Sequence, residues 1–294
     1  MLKCGSYGHL QGHHCSSGDV QSDASFDQCV CTSIPCVSRG RVAGWPCVSA
    51  RDHGASLLGS VGDCQAPVAL GGTYDATRST MRVRDFMARP VSPSVQPPYL
   101  KDFHLCRELA VLNTALPYSV PAPLADDLLN GFFDALAKDA PLSDAAAGLQ
   151  SRAGDDFRFL YAGPPGSWTP VHHDVLYSAS WSANVTGWKV WVLVEPGAAR
   201  TALYRGGSPQ GDLVVDSLFT PAEAAIVEEV AAAVGGDAWA GGRIAGCAVT
   251  QPLPAALEAL GARAVCVQGP GDVVFVPGGW RAWQRGRASC LFVH

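Results

Sequence analysis

Between residues 163 and 194 the chain brings together a Gly/Pro turn, a His-x-Asp pair, four tryptophans and an apolar run headed by a lysine (GPPGSWTPVHHDVLYSASWSANVTGWKVWVLV). Side chains alternate along a strand, so residues two apart face the same side. Read as a strand, 171–175 aims His172 and Asp174 into one space and turns His173 away from it. An imidazole and a carboxylate on one face are two arms of a 2-His-1-carboxylate site, whose remaining positions stay open on Fe(II). Lys189 heads the run Val-Trp-Val-Leu-Val, where burial makes sense only if an anion meets the ammonium, because an unpaired buried charge costs several kcal/mol.

The rest of the chain supplies short strands joined by turns. With 32 Gly and 21 Pro in 294 residues, punctuation is frequent, as short-stranded β folds require. Segments 66–70, 99–103, 156–162, 190–194, 264–268 and 273–276 read as strands. The spacing of Leu124, Leu128, Leu129, Phe132, Phe133 and Leu136 predicts a helix over 124–138 with one buried face. Shorter helices are predicted at 81–88 and 254–260. The capping box Thr220-Pro221-Ala222-Glu223 opens another over 221–234. The expected fold is mainly β with flanking helices (α+β), a double-stranded β-helix of the cupin or jelly-roll kind with its last strands truncated. Its domain spans 41–294: an N-terminal part over 41–150, then a barrel core over 151–294 interrupted by an insertion at about 197–262. Residues 1–40, rich in Ser, Gly, Cys and His, show no apolar periodicity and read as a poorly ordered leader.

Charge and cysteine usage narrow the function classes. The net charge is −5 without a Lys/Arg cluster, which argues against direct nucleic-acid binding. No apolar run reaches membrane-spanning length. Five of the 11 cysteines fall in the first 36 residues; without a recognisable secretory signal they read as reduced thiols in the cytoplasm or nucleus. Cys29, Cys31 and Cys36 with His13, His14 and Cys15 match no paired zinc-knuckle spacing.

Three words, DDFRFLYAGPPGSWTPVHHD, SWSANVTGWKVW and GDVVFVPGGW, resemble the JmjC branch of Fe(II)/2-oxoglutarate oxygenases. Within it the chain is most similar to the lysyl hydroxylases of a translation termination factor. The resemblance implies Fe(II) held by His172 and Asp174. It implies 2-oxoglutarate held at its distal carboxylate by Lys189, Thr169 and Tyr99, with Ser182 where some relatives carry Asn, and O2 as second co-substrate. It implies a protein substrate, the termination factor being the first to consider, and hydroxylation of a lysine coupled to oxidative decarboxylation.

One position departs from the pattern. The third metal ligand of the family, a histidine, follows the GDVVFVPGGW word by two residues, and here that position holds Ala282. Gln284, two residues on, shares its strand face and carries a weak oxygen donor. His294 aligns with no ligand position. Three readings remain open from sequence: a protein hydroxylase, a catalytically impaired JmjC-like binding module, and a small-molecule-binding cupin. The last leaves the combination of Lys189, Thr169 and the His-x-Asp unexplained.

Overall fold

A computed structural model describes residues 23–50, 52, 54–70, 77–90, 97–136, 155–197, 262–286 and 290–293. The predicted helices at 221–234 and 254–260, and residues 1–22, lie outside them. The elements run in the order α1 (Asp23–Thr32), β1 (Cys36–Ser38), α2 (Pro46–Ser49), α3 (Ala55–Ser60), β2 (Gln65–Leu70), β3 (Thr77–Arg82), α4 (Val83–Met87), β4 (Tyr99–Phe103), α5 (Leu105–Val111) and α6 (Leu128–Leu136). Then come β5 (Leu160–Gly163), β6 (Trp168–His172), β7 (Ser180–Thr186), β8 (Lys189–Val194), β9 (Ala262–Gln268), β10 (Val273–Val276), β11 (Arg281–Gly286) and β12 (Cys290–Val293).

Two sheets result, with every pairing antiparallel. The larger runs β1-β10-β7-β12-β5-β4-β2-β3 and the smaller β6-β11-β8-β9. From β5 to β8 successive strands alternate between the sheets, as do β9 to β12, which is the double-stranded β-helix expected from the sequence. Valines from β10 and Trp191, Leu193, Cys266 and Ala282 from the smaller sheet share one buried core. β12 is paired on both sides, between β5 and β7. The last strand is thus a full member of its sheet and not a ragged edge.

Residues 23–38 correct the expectation of a poorly ordered leader: α1 buries Phe26 and Cys29, and β1 pairs with β10. No apolar periodicity shows in the sequence because a cysteine fills one of these two buried positions, and buried free cysteine behaves as a small hydrophobe. Cys29 and Cys36 are buried and Cys31 is exposed; the Cys29–Cys36 hydrogen bond holds the Cys29 thiol below its usual value. Among the described residues no group of three His, Cys, Asp or Glu converges as a metal site.

Other boundaries moved for local reasons. Met81 and Arg82 pair with Ala66 and Gln65 across a hairpin, so the helix expected from residue 81 begins at Val83. The helix expected over 124–138 is a 3-10 turn at Ala122–Leu124 followed by α6, where Asp127 Oδ1 accepts from the Asn130 N–H at 3.0 Å as an N-terminal cap. The strand expected over 156–162 starts only at Leu160, because the Phe157 N–H donates to Asn130 Oδ1 (2.8 Å) on α6 and not to a neighbouring strand. Among the described residues no helix is long and apolar enough to cross a membrane.

Candidate metal and co-substrate site

The site is built on the inner face of the smaller sheet, and the register decides which side chains share it. β11 pairs with β6 so that Ala282 faces His172 and Gln284 faces Thr169. Two residues on β11 therefore oppose three on β6, which is a bulge. Strict alternation would send Thr169 and His172 to opposite faces, since they are an odd number of residues apart. The extra residue realigns them, and both line one cavity of about 1000 Å³.

Asp174 lies outside the strand, contrary to the expectation of one over 171–175. The strand ends at His172, and Asp174 lies just past it, before a 3-10 turn at Val175–Tyr177. The carboxylate nevertheless reaches the same place, with Oδ1 4.0 Å from His172 Nε2. Ser180 Oγ, at the start of β7, donates to the other oxygen, Oδ2, and fixes the carboxylate's rotation. Nothing local in the sequence marked Ser180; only the turn of the chain brings it there. His173 does not turn away from this space as the alternation implied, because the strand has ended: it lines the same cavity, its ring stacked on Tyr177 at 4.1 Å and its Nδ1 3.0 Å from the Asp174 carbonyl oxygen.

Ala282 sits across from His172, 4% exposed. The position that would complete the ligand set is thus beside the imidazole, and it presents a methyl group. Thr169 lines the cavity 2% exposed, and its Oγ1 is buried with no hydrogen-bond partner. A buried hydroxyl without a partner costs roughly 1–3 kcal/mol, which an incoming polar ligand removes. Lys101 also lines the cavity; burial pushes its ammonium below the usual value, an effect partly opposed by Asp102 and Asp174.

Lys189 is buried at the start of β8, its Nζ 4.2 Å from the Trp191 ring centroid. That ring is anchored in turn. Trp191 Nε1 donates to Gln268 Oε1 at 2.8 Å, and Gln268 Nε2 donates to the carbonyls of Ser182 (2.7 Å) and Asp272 (2.9 Å). Gln268 is the register partner of Lys189 on β9 and was not singled out from the sequence, since a lone glutamine carries no local signal. Tyr99 and Lys189 line a separate void of about 10 Å³, together with Ser167, Gly163 and Gln284. Gly163 permits this approach, because a Cβ there would lie 2.8 Å from Tyr99 Cδ2. Ser182 is 1% exposed and its Oγ has no hydrogen-bond partner; it lines neither space. The expected residues thus fall into three places: Thr169, His172 and Asp174 on the cavity, Lys189 and Tyr99 on the small void, and Ser182 in the larger sheet.

The donor set fits a dicarboxylate, since a deep cation and an unpartnered hydroxyl lie on one sheet face. It fits Fe(II) at two positions and not at the third.

Comparison with known proteins agrees with this architecture. The cupin-like domain family matches residues 22–281. The chain is 32% identical over 200 residues to the human 2-oxoglutarate and iron-dependent oxygenase JMJD4, covering 65% of this chain and 43% of that protein. It is 32% identical over 182 residues to the Arabidopsis thaliana arginine-specific demethylase JMJ20, covering 62% and 32%. It is 33% identical over 132 residues to the Schizosaccharomyces pombe JmjC domain-containing protein 1, covering 44% and 25%. The chain therefore matches less than half the length of each of these relatives. With the interleaved sheets, the matched span and these likenesses together, the chain belongs to the cupin-like domain family.

Proposed function

We propose that this chain is a 2-oxoglutarate- and Fe(II)-dependent oxygenase that hydroxylates a protein side chain. The observation that carries the reading is the shared face of the smaller sheet, with His172 and Thr169 on β6 and buried Lys189 on β8. When bound, Fe(II) with 2-oxoglutarate and O2 supplies oxidative decarboxylation coupled to oxygen insertion into a C–H bond. The chain's own residues do the rest. His172 and Asp174 present a neutral nitrogen and an anionic oxygen to a cation, and Ser180 holds the carboxylate in one rotation. Thr169 Oγ1 and Lys189 Nζ offer a hydroxyl donor and a charge to a distal carboxylate. The carboxylates of Asp126, Asp127 and Asp155 line the outer cavity and suit a cationic side chain. A lysine of a translation termination factor, encountered in the cytoplasm or nucleus, is the first substrate to try.

A second reading rests on Ala282. With a methyl group at the third ligand position, the same pocket binds a dicarboxylate without turnover, as a binding module. Anaerobic titration with Fe(II) and 2-oxoglutarate, followed by the metal-to-ligand charge-transfer absorption, separates the two. The oxygenase reading expects a band in the natural chain that strengthens in Ala282→His. A band in Ala282→His alone selects the binding module, and no band in either removes the oxygenase reading.

A further inference from the structure

The spaces around Lys189 and around His172 do not join, and the same residue stands on both sides of the gap. Thr169, His172 and Asp174 line the cavity of about 1000 Å³, Lys189 and Tyr99 line the void of about 10 Å³, and Gln284 lines both. Register explains the position. Gln284 pairs with Trp191 on one side and Thr169 on the other, so it shares the inner face with Lys189, one step diagonally along the ladder. Gly286, directly opposite Lys189, contributes no side chain there. Gln284 is 4% exposed, and its Oε1 is a buried acceptor with no hydrogen-bond partner. Its register partner is Thr169 and not His172, which sets it at the Lys189 end and away from the third-ligand position.

We propose that Gln284 is a specificity-determining residue, a partition between the metal end of the pocket and Lys189. The inference rests on the dicarboxylate reading above. A space of about 10 Å³ holds about one water, so the carboxylate of a five-carbon dicarboxylate reaches Lys189 only when the Gln284 side chain leaves its place. Gln284 therefore sets a threshold on affinity for 2-oxoglutarate and favours smaller anions, which occupy the outer cavity without displacing it.

The test is calorimetric titration of 2-oxoglutarate into the metal-free chain, the Gln284→Ala variant, and Lys189→Met in each background. The partition predicts binding about tenfold tighter in Gln284→Ala, with the gain abolished by Lys189→Met. Acetate, too short to span both spaces, is predicted to bind the natural chain and Gln284→Ala equally. Weaker or unchanged 2-oxoglutarate binding in Gln284→Ala, with the natural chain still binding through Lys189, overturns the partition and leaves the dicarboxylate reading standing. Binding insensitive to Lys189→Met in both backgrounds, or none at all, overturns both. Gln284→Asn, shorter but equally polar, guards against a folding artefact: it should give an intermediate affinity with an unchanged thermal midpoint.

Discussion

At the scale of single residues, the site is decided by what is missing at 282 and what is present at 284. Ala282 lies where the register brings a side chain beside His172, so an alanine there offers the imidazole a methyl group and no group that coordinates. Lys101 carries a separate liability. Burial lowers its pKa, so its folded value lies below its unfolded one. The half-buried ammonium then works against folding at all pH values below the folded pKa. That penalty is relieved as pH rises through the folded value toward the unfolded one. Lys101→Met should therefore raise the thermal midpoint at neutral pH, by roughly 2–4 °C. It should raise it less at alkaline pH, where the natural side chain is already neutral; calorimetry at the two pH values checks the difference. His172, Asp174, Lys189 and Thr169 could be picked out as candidates because each stands in a word of recognisable spacing. Ser180, Gln268 and the partitioning place of Gln284 were not, because each acts on a residue that only folding brings near.

At the scale of elements, the turn between β9 and β10 fastens the N-terminal segment to the barrel. The Asp272 carboxylate accepts from the backbone N–H groups of Gly40 and Gly269, each at 2.9 Å, and pairs with Arg39. Gly271 supports the turn at φ 84°, a conformation that favours glycine. Asp272→Ala leaves these donors unmatched and should cost about 2–4 kcal/mol in urea unfolding. The docked α1 makes a parallel prediction. Phe26 is 1% exposed in the common core, so Phe26→Ala should cost about 3–5 kcal/mol. A cost near zero would return residues 23–38 to the status of a loose leader. Gln268→Leu, which strips partners from the Trp191 N–H and two buried carbonyls, should cost about 3 kcal/mol and also weaken dicarboxylate binding through Lys189.

At the scale of the whole molecule, the two sheets share one core and should lose it together. Urea transitions followed by tryptophan fluorescence, which samples both sheets through Trp181 on β7 and Trp191 on β8, and by far-ultraviolet circular dichroism should coincide. Transitions that separate would mean that unfolding is not all-or-none. The sequence alone determined the class of this fold and the composition of its site. Alternation, turn residues and apolar runs are local signals, and local signals locate strands. It also made 282 a position with nothing to coordinate, since that is a matter of residue identity. Tertiary structure decided which of these residues meet. The bulge between β6 and β11 put Thr169 beside His172 on one face, against the alternation that sequence spacing implies. Pairing placed Gln284 between Lys189 and the cavity, and β1 turned an unpromising cysteine-rich stretch into a strand. Register belongs to pairs of strands distant in the chain, and no single strand's sequence carries it.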